Sequence, residues 1–181
     1  MCDRCRAREE LTPSEITDWS TSIHQLMSCV VYQDIYKELV HRLKFDRQKE
    51  AYEHIAWIMS RCYSPNKIAS VIPLPTSAKR VRQRGYDQTV LIARRYAQLT
   101  GCRYIHALRR NGDGRQVGAT RSSHFDQMKG VFYIPNPRLI IDQDVILVDD
   151  VVTTGASLQS AANELLNAGA KSVAGLVFAR A

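Results

Sequence analysis

The chain has 181 residues, 45% hydrophobic and 24% charged, with five cysteines and a formal net charge of +7. That length and composition suit one globular domain with a real core and a small appendage, and they exclude a low-complexity chain. No apolar run reaches the roughly 20 residues of a membrane span and no signal peptide opens the chain, which excludes membrane insertion and, with an odd cysteine count, points to the reducing cytoplasm.

Residues 1–30 carry the weakest pattern. Cys2-Asp3-Arg4-Cys5 has the spacing of half a zinc site, while Cys29, Cys62 and Cys102 stand alone. Zinc at Cys2 and Cys5 would therefore need distant or external ligands. Thr12-Pro13-Ser14-Glu15 reads as the start of a short helix, with Thr12 as cap and Pro13 in its first turn. Ile35, Leu39, Val40 and Leu43 recur at helical spacing and predict a helix over Gln33 to Phe45. A second, from about Gln48 to Cys62, places Ala51, Ile55, Ile58 and Met59 on one core face. Lys44 is either a solvated end charge or a residue that reaches a site.

Ile68 to Ile72 reads as a strand, and Pro73 to Arg80 as a loop stiffened by its prolines. A helix follows from about Gln88 to Thr100, stopped by Gly101, and then a strand around Arg103 to Leu108. The stretch 111–118 holds three glycines and no apolar period, so it is mobile unless something binds it. A helical turn at Ser122 to Met128, a strand at Gly130 to Ile134 and a Pro135-Asn136-Pro137 turn come next. Val145 to Val148 is a four-residue apolar run, mostly β-branched, as in a strand buried on both faces. The helix 156–168 and the strand Ser172 to Phe178 close the chain. Such alternation implies an α/β fold, a mainly parallel sheet flanked by helices.

Charge is unevenly placed. From Lys79 to Arg121 there are eleven Lys or Arg against Asp87 and Asp113, a local +9, so the rest sums to −2. A focused positive field attracts a polyanion, either a pyrophosphate ester or nucleic acid. Arg94 and Arg95 read instead as a solvated helix face.

The chemistry concentrates after Val148. Asp149 and Asp150 sit where the strand ends, a Thr153-Thr154-Gly155-Ala156-Ser157 turn follows, and a helix begins. That order suits a phosphorylated sugar. Free N–H groups at a helix start hold a phosphate, glycine permits close backbone approach, and carboxylates accept hydrogen bonds from ribose hydroxyls. In open parallel sheets the ligand lies beyond the carboxyl ends of the strands. Three loops leave such ends: 73–80, 109–121 and 149–157.

This run resembles the PRPP-binding motif of type I phosphoribosyltransferases (PRPP, 5-phosphoribosyl 1-pyrophosphate). The resemblance implies that Asp149 and Asp150 hold the ribose. Val152, Thr153, Thr154, Gly155, Ala156 and Ser157 would cradle the 5′-phosphate. Pro75, Thr76, Ser77, Lys79 and Arg80 would form the pyrophosphate loop, and 109–121 the flexible catalytic loop, with Arg115 arriving on closure. It implies Mg²⁺ bridging pyrophosphate and ribose oxygens, and displacement of pyrophosphate at ribose C1 by a nitrogen nucleophile.

A second resemblance covers most of the chain. Tyr32 with Leu43-Lys44-Phe45, Ile72-Pro73-Leu74-Pro75, Arg82-Gln83-Arg84-Gly85-Tyr86-Asp87-Gln88, Gln116-Val117-Gly118, Gly130-Val131-Phe132 and Val148-Asp149-Asp150 through Gly155 fall in ComF-family order. That family implies a cytoplasmic phosphoribosyltransferase-like factor in DNA uptake, beside a helicase-like partner, with an unidentified acceptor. Two alternatives stay open: a non-catalytic PRPP- or nucleotide-binding regulator or scaffold, and a factor that binds single-stranded DNA. The chain departs from the family pattern with Asp87 where RGFNQ has Asn, with His124 and Gln127, and with only Cys2 and Cys5 of a four-cysteine zinc module. With the last strand ending near Arg180, the hood of such a fold is expected from residues 1–60, ahead of a core domain at 61–181.

Overall fold

The computed structural model describes residues 14–15, 22–46, 48–65, 69–111 and 130–181. The strands are β1 (Ser14–Glu15), β2 (Gln25–Val31), β3 (Ser70–Pro73), β4 (Arg103–Tyr104), β5 (Arg109–Arg110), β6 (Phe132–Tyr133), β7 (Asp144–Val152) and β8 (Ser172–Arg180). The helices are α1 (Asp34–Lys44), α2 (Ala51–Cys62), α3 (Ala78–Arg84), α4 (Gln88–Thr100) and α5 (Ala156–Asn167). One sheet runs β1-β2-β8-β7-β3-β4; β1 is antiparallel to β2 and every other pairing is parallel. A two-stranded antiparallel sheet pairs β5 with β6. Among the described residues no helix is long and apolar enough to cross a membrane.

Side-chain alternation along β7 divides the core between the two faces of the sheet. Ile146 and Val148 pack with Val40 and Leu43 of α1, Ile55 and Met59 of α2, and Ile92 and Tyr96 of α4. Val145 and Leu147 pack with Leu158, Ala162 and Leu165 of α5. The helix that follows β3 with a long face, α4, therefore lies on one side, and α5, which follows β7, on the other. β3 and β7 are neighbours. Adjacent parallel strands that send their helices to opposite faces open a crevice at their carboxyl ends, and that is where such sheets bind ligands.

Several elements differ from the sequence reading. Ser14–Glu15 is a strand rather than a helix start. β2, which the sequence reading did not place, joins the sheet beside β8, and α1 and α2 pack in one cluster with α4. β2 is buried along most of its length and lacks the polar alternation that marks a half-exposed strand. α3 is a helix where a loop was expected; it buries no residue, so it has no apolar period to read. Its signals are local, a Ser77 cap and Gly85 in the left-handed region at φ 84°. The strand expected over Arg103 to Leu108 pairs only at Arg103–Tyr104, and that at Gly130 to Ile134 only at Phe132–Tyr133. β7 runs to Val152, which places Asp149 and Asp150 within the strand rather than at its end. The helical turn read at Ser122 to Met128 lies outside the described residues.

Candidate functional site

A cleft of about 590 Å³ opens at the β3–β7 crevice. Its first wall is the turn after β3, where Pro75, Thr76 and Ser77 lead into α3 and Arg80. Its second is the end of β7 and start of α5, with Asp149, Asp150, Thr153 and Ser157. Lys44 from the end of α1, Gln88 from the start of α4 and Arg110 from β5 close the sides. Residues of all three expected loops, the third represented by Arg110, thus meet in one cavity.

The first wall is held by Asp87. As cap of α4 its carboxylate accepts the Thr89 amide at 3.0 Å, and it also accepts the Thr76 amide at 3.1 Å and the Thr76 hydroxyl at 3.0 Å. The Thr89 hydroxyl lies 2.7 Å from both Asp87 Oδ1 and the Leu74 carbonyl. The Thr76 N–H, expected to face a pyrophosphate, is therefore spent on Asp87. Ser77 caps α3, its hydroxyl accepting from the Arg80 amide at 3.4 Å.

The second wall carries the carboxylates. Alternation puts Asp150 on the α1–α4 face and Asp149 on the α5 face. Asp150 is 4% exposed. Lys44 Nζ lies 2.9 Å from each of its oxygens, and Gln88 Nε2 donates to Oδ2 at 3.1 Å. Arg84 in turn donates to Gln88 Oε1 at 2.7 Å. Asp149 accepts the Asp150 amide at 2.8 Å. Burial first, and the Asp150 charge second, push the Asp149 carboxyl well above the usual carboxylate range, although the Asp150 amide and Lys44 pull the other way.

The expected phosphate cradle is only partly at the surface of the cleft. Thr153 and Ser157 line it, whereas the side chains of Val152 and Ala156 are buried, at 3% and 8% exposure. Gly155 turns the chain at φ 70°, a conformation that favours glycine. Thr154 stands exposed beside the turn, its hydroxyl 3.5 Å from the Ala156 amide. Lys79 is exposed on α3 and does not line the cleft, while its neighbour Arg80 does. Arg115, Cys2 and Cys5 lie outside the described residues. Among the described residues no group of three or more His, Cys, Asp or Glu is placed to hold a metal ion.

Three participants were not singled out as site residues from sequence, Asp87, Gln88 and Arg110, and Lys44, open between a solvated end charge and a residue that reaches a site, lines the cleft. An Asp directly before a helix start is a cap signal, so Asp87 was findable. Gln88 and Lys44 owe their places to tertiary contacts alone. Arg110 sits with its guanidinium 5.4 Å from the Phe132 ring centre, a contact that β5–β6 pairing creates.

The phosphoribosyl transferase domain family matches residues 88–181. Competence protein ComFC of Bacillus subtilis (strain 168) is 28% identical over 172 residues, which cover 93% of this chain and 67% of that protein. DNA utilization protein YhgH of Salmonella typhi is 27% identical over 160 residues, covering 82% of this chain and 69% of that protein. Among solved structures, glutamine PRPP amidotransferase from B. subtilis, complexed with ADP and GMP, superposes with TM-score 0.51 at 19% identity over 70% of this chain. The allosteric regulatory enzyme of purine biosynthesis gives the same TM-score at 17% identity. The chain spans 25% of the length of each of these two structures, and the likeness speaks to fold alone. The fold is that of type I phosphoribosyltransferases.

Proposed function

The chain belongs to the phosphoribosyl transferase domain family, and we propose that its cleft binds PRPP with Mg²⁺ and transfers the phosphoribosyl group to an acceptor in DNA uptake. The observation that carries this reading is the adjacent Asp149–Asp150 pair on β7, set between the Thr76–Ser77 turn and the Thr153–Ser157 turn in one cleft. A ribose across Asp149 would place its 5′-phosphate toward Thr153 and Ser157. Its pyrophosphate would then lie toward Ser77, Arg80 and Arg110, where cations balance the leaving charge. In the reaction the ribose C1–oxygen bond to pyrophosphate breaks, a C1–nitrogen bond to the acceptor forms, and the acceptor gives up its proton.

The donor set fits a hydrated Mg²⁺ that takes most of its ligands from substrate oxygens, with Asp149 as the protein carboxylate that would hold it. Bound there, the ion would neutralise charge on the pyrophosphate. Arg115 is assigned to the closing loop. Residues 1–60 are assigned to the hood, in keeping with Tyr32 and Lys44 on the cleft wall, and 61–181 to the rest of the transferase unit.

The names of the relatives, a competence protein and a DNA utilization protein, support a role in DNA uptake. The reading includes a cytoplasmic setting and a helicase-like partner. It is tested by incubating the protein with PRPP, Mg²⁺ and single purine and pyrimidine bases, then measuring pyrophosphate. Release that depends on both protein and acceptor is the expected result. PRPP binding with no release from any acceptor would reassign the protein as a nucleotide-binding regulator. Salt-sensitive binding of single-stranded DNA that PRPP does not compete would favour a DNA surface instead.

A further inference from the structure

On the basis of the PRPP reading, we propose that Lys44 is a positioning residue of this site: it acts through Asp150, fixing the orientation and charge of that carboxylate on the cleft wall. Two neighbouring carboxylates in one cleft repel each other, and Asp150 is nearly without solvent to disperse its charge. A carboxylate so placed needs a paired cation with good geometry. Lys44 supplies it at 2.9 Å to both oxygens from a position 106 residues earlier in the chain.

The reach of Lys44 is built into the fold. Its neighbours on either side are pinned by one turn of the protein, residues 84–88. The Tyr86 hydroxyl donates to the Leu43 carbonyl, and the Arg84 guanidinium lies 5.6 Å from the centre of the Phe45 ring. The same Arg84 donates to Gln88, and Gln88 donates to Asp150. The contacts form a closed circuit from Asp150 through Lys44 and the end of α1 to the 84–88 turn and back. Lys44 is also the last residue of α1, where the carbonyl-rich helix end favours a cation. α1 is in this way part of the site without touching the ligand.

The rival role for Lys44 is direct contact with the substrate, and a double-mutant cycle separates the two. PRPP with Mg²⁺ is titrated calorimetrically into the wild type, Lys44→Met, Lys44→Arg, Asp150→Asn and the Lys44→Met/Asp150→Asn double variant, with a melting midpoint for each. Lys44→Met is expected to weaken binding by at least about tenfold, the effect of stripping a charged partner from a buried group. Lys44→Arg should restore most of the affinity, since a guanidinium also serves both oxygens of a carboxylate. In the Asp150→Asn background, Lys44→Met should cost nothing further. A Lys44→Met loss that persists in that background overturns the proposal, as does wild-type affinity in Lys44→Met. Lys44→Gln replaces Lys44→Met if the latter does not fold, and the same two results count against the proposal. A wild type that binds no PRPP removes the underlying reading and this assignment with it. That outcome is distinct from a wild type that binds and a cycle that is additive, which overturns only the role of Lys44.

Discussion

Asp87 holds Thr76 at two points, accepting its amide at 3.1 Å and its hydroxyl at 3.0 Å, while the same carboxylate caps α4. One side chain thus ties the turn after β3 to the start of a core helix and fixes the first wall of the cleft. Asp87→Ala removes a cap and orphans partly buried donors. It is expected to cost about 2–3 kcal/mol in urea unfolding and to weaken PRPP binding. Asp87→Asn, which keeps one acceptor oxygen, should lose less. An unfolding midpoint unchanged in Asp87→Ala would mean that the clamp carries no stability.

The raised carboxyl of Asp149 makes a prediction about pH. A carboxylic acid held above its ordinary value favours the folded state when protonated. Its contribution is therefore full below about pH 4, the unfolded value, and is lost as pH rises through the folded one. Asp149→Asn should stabilise the protein at pH 7, and the difference from wild type should shrink as pH falls toward 4. The same variant should bind PRPP poorly, since a carboxyl kept in this site at a cost to stability is one kept for a ligand. Equal melting curves across that pH range would contradict the burial assigned to this group.

Gly175 tests the placement of β2. A Cβ added there would stand 2.5 Å from Leu26 Cδ1, and Leu26 is fully buried, so its side chain must shift within the core. Gly175→Ala is expected to destabilise by about 1–3 kcal/mol, the usual cost of overpacking a core. Adding Leu26→Ala should relieve much of the clash, so the pair should be non-additive in denaturant unfolding. Strict additivity would place β2 elsewhere.

Ser157 lines the cleft from the first turn of α5. Ser157→Ala should lower affinity for ribose 5-phosphate by about three- to tenfold, as expected for one lost hydrogen bond. Its melting midpoint should stay near wild type. Undiminished affinity would move the 5′-phosphate away from this turn.

The elements with a strong period were legible. The helix read from Gln88 to Thr100 is found with those ends, because Asp87, Gly101 and an apolar stripe agree on it. The mainly parallel sheet followed from strands alternating with helices. What escaped was either buried on both faces, as with β2, or without a buried residue, as with α3; neither condition leaves a period in the sequence. In the site, Asp149, Asp150, Thr153, Ser157, Thr76 and Ser77 were readable because a strand–turn–helix order places them together. Sequence left Lys44 open between two readings, since its contact with Asp150 depends on how α1 crosses the sheet. The burial of the Val152 and Ala156 side chains was out of reach, for a loop's sequence does not say which of its residues face inward.

The most direct test of the account is a calorimetric titration of PRPP with Mg²⁺ into the wild type and Asp149→Asn. One-to-one binding by the wild type, weakened without metal and lost in a folded Asp149→Asn, is the predicted result. No heat in the wild type, or equal affinity in a folded Asp149→Asn, would contradict the assignment of this cleft to a phosphoribosyl ligand.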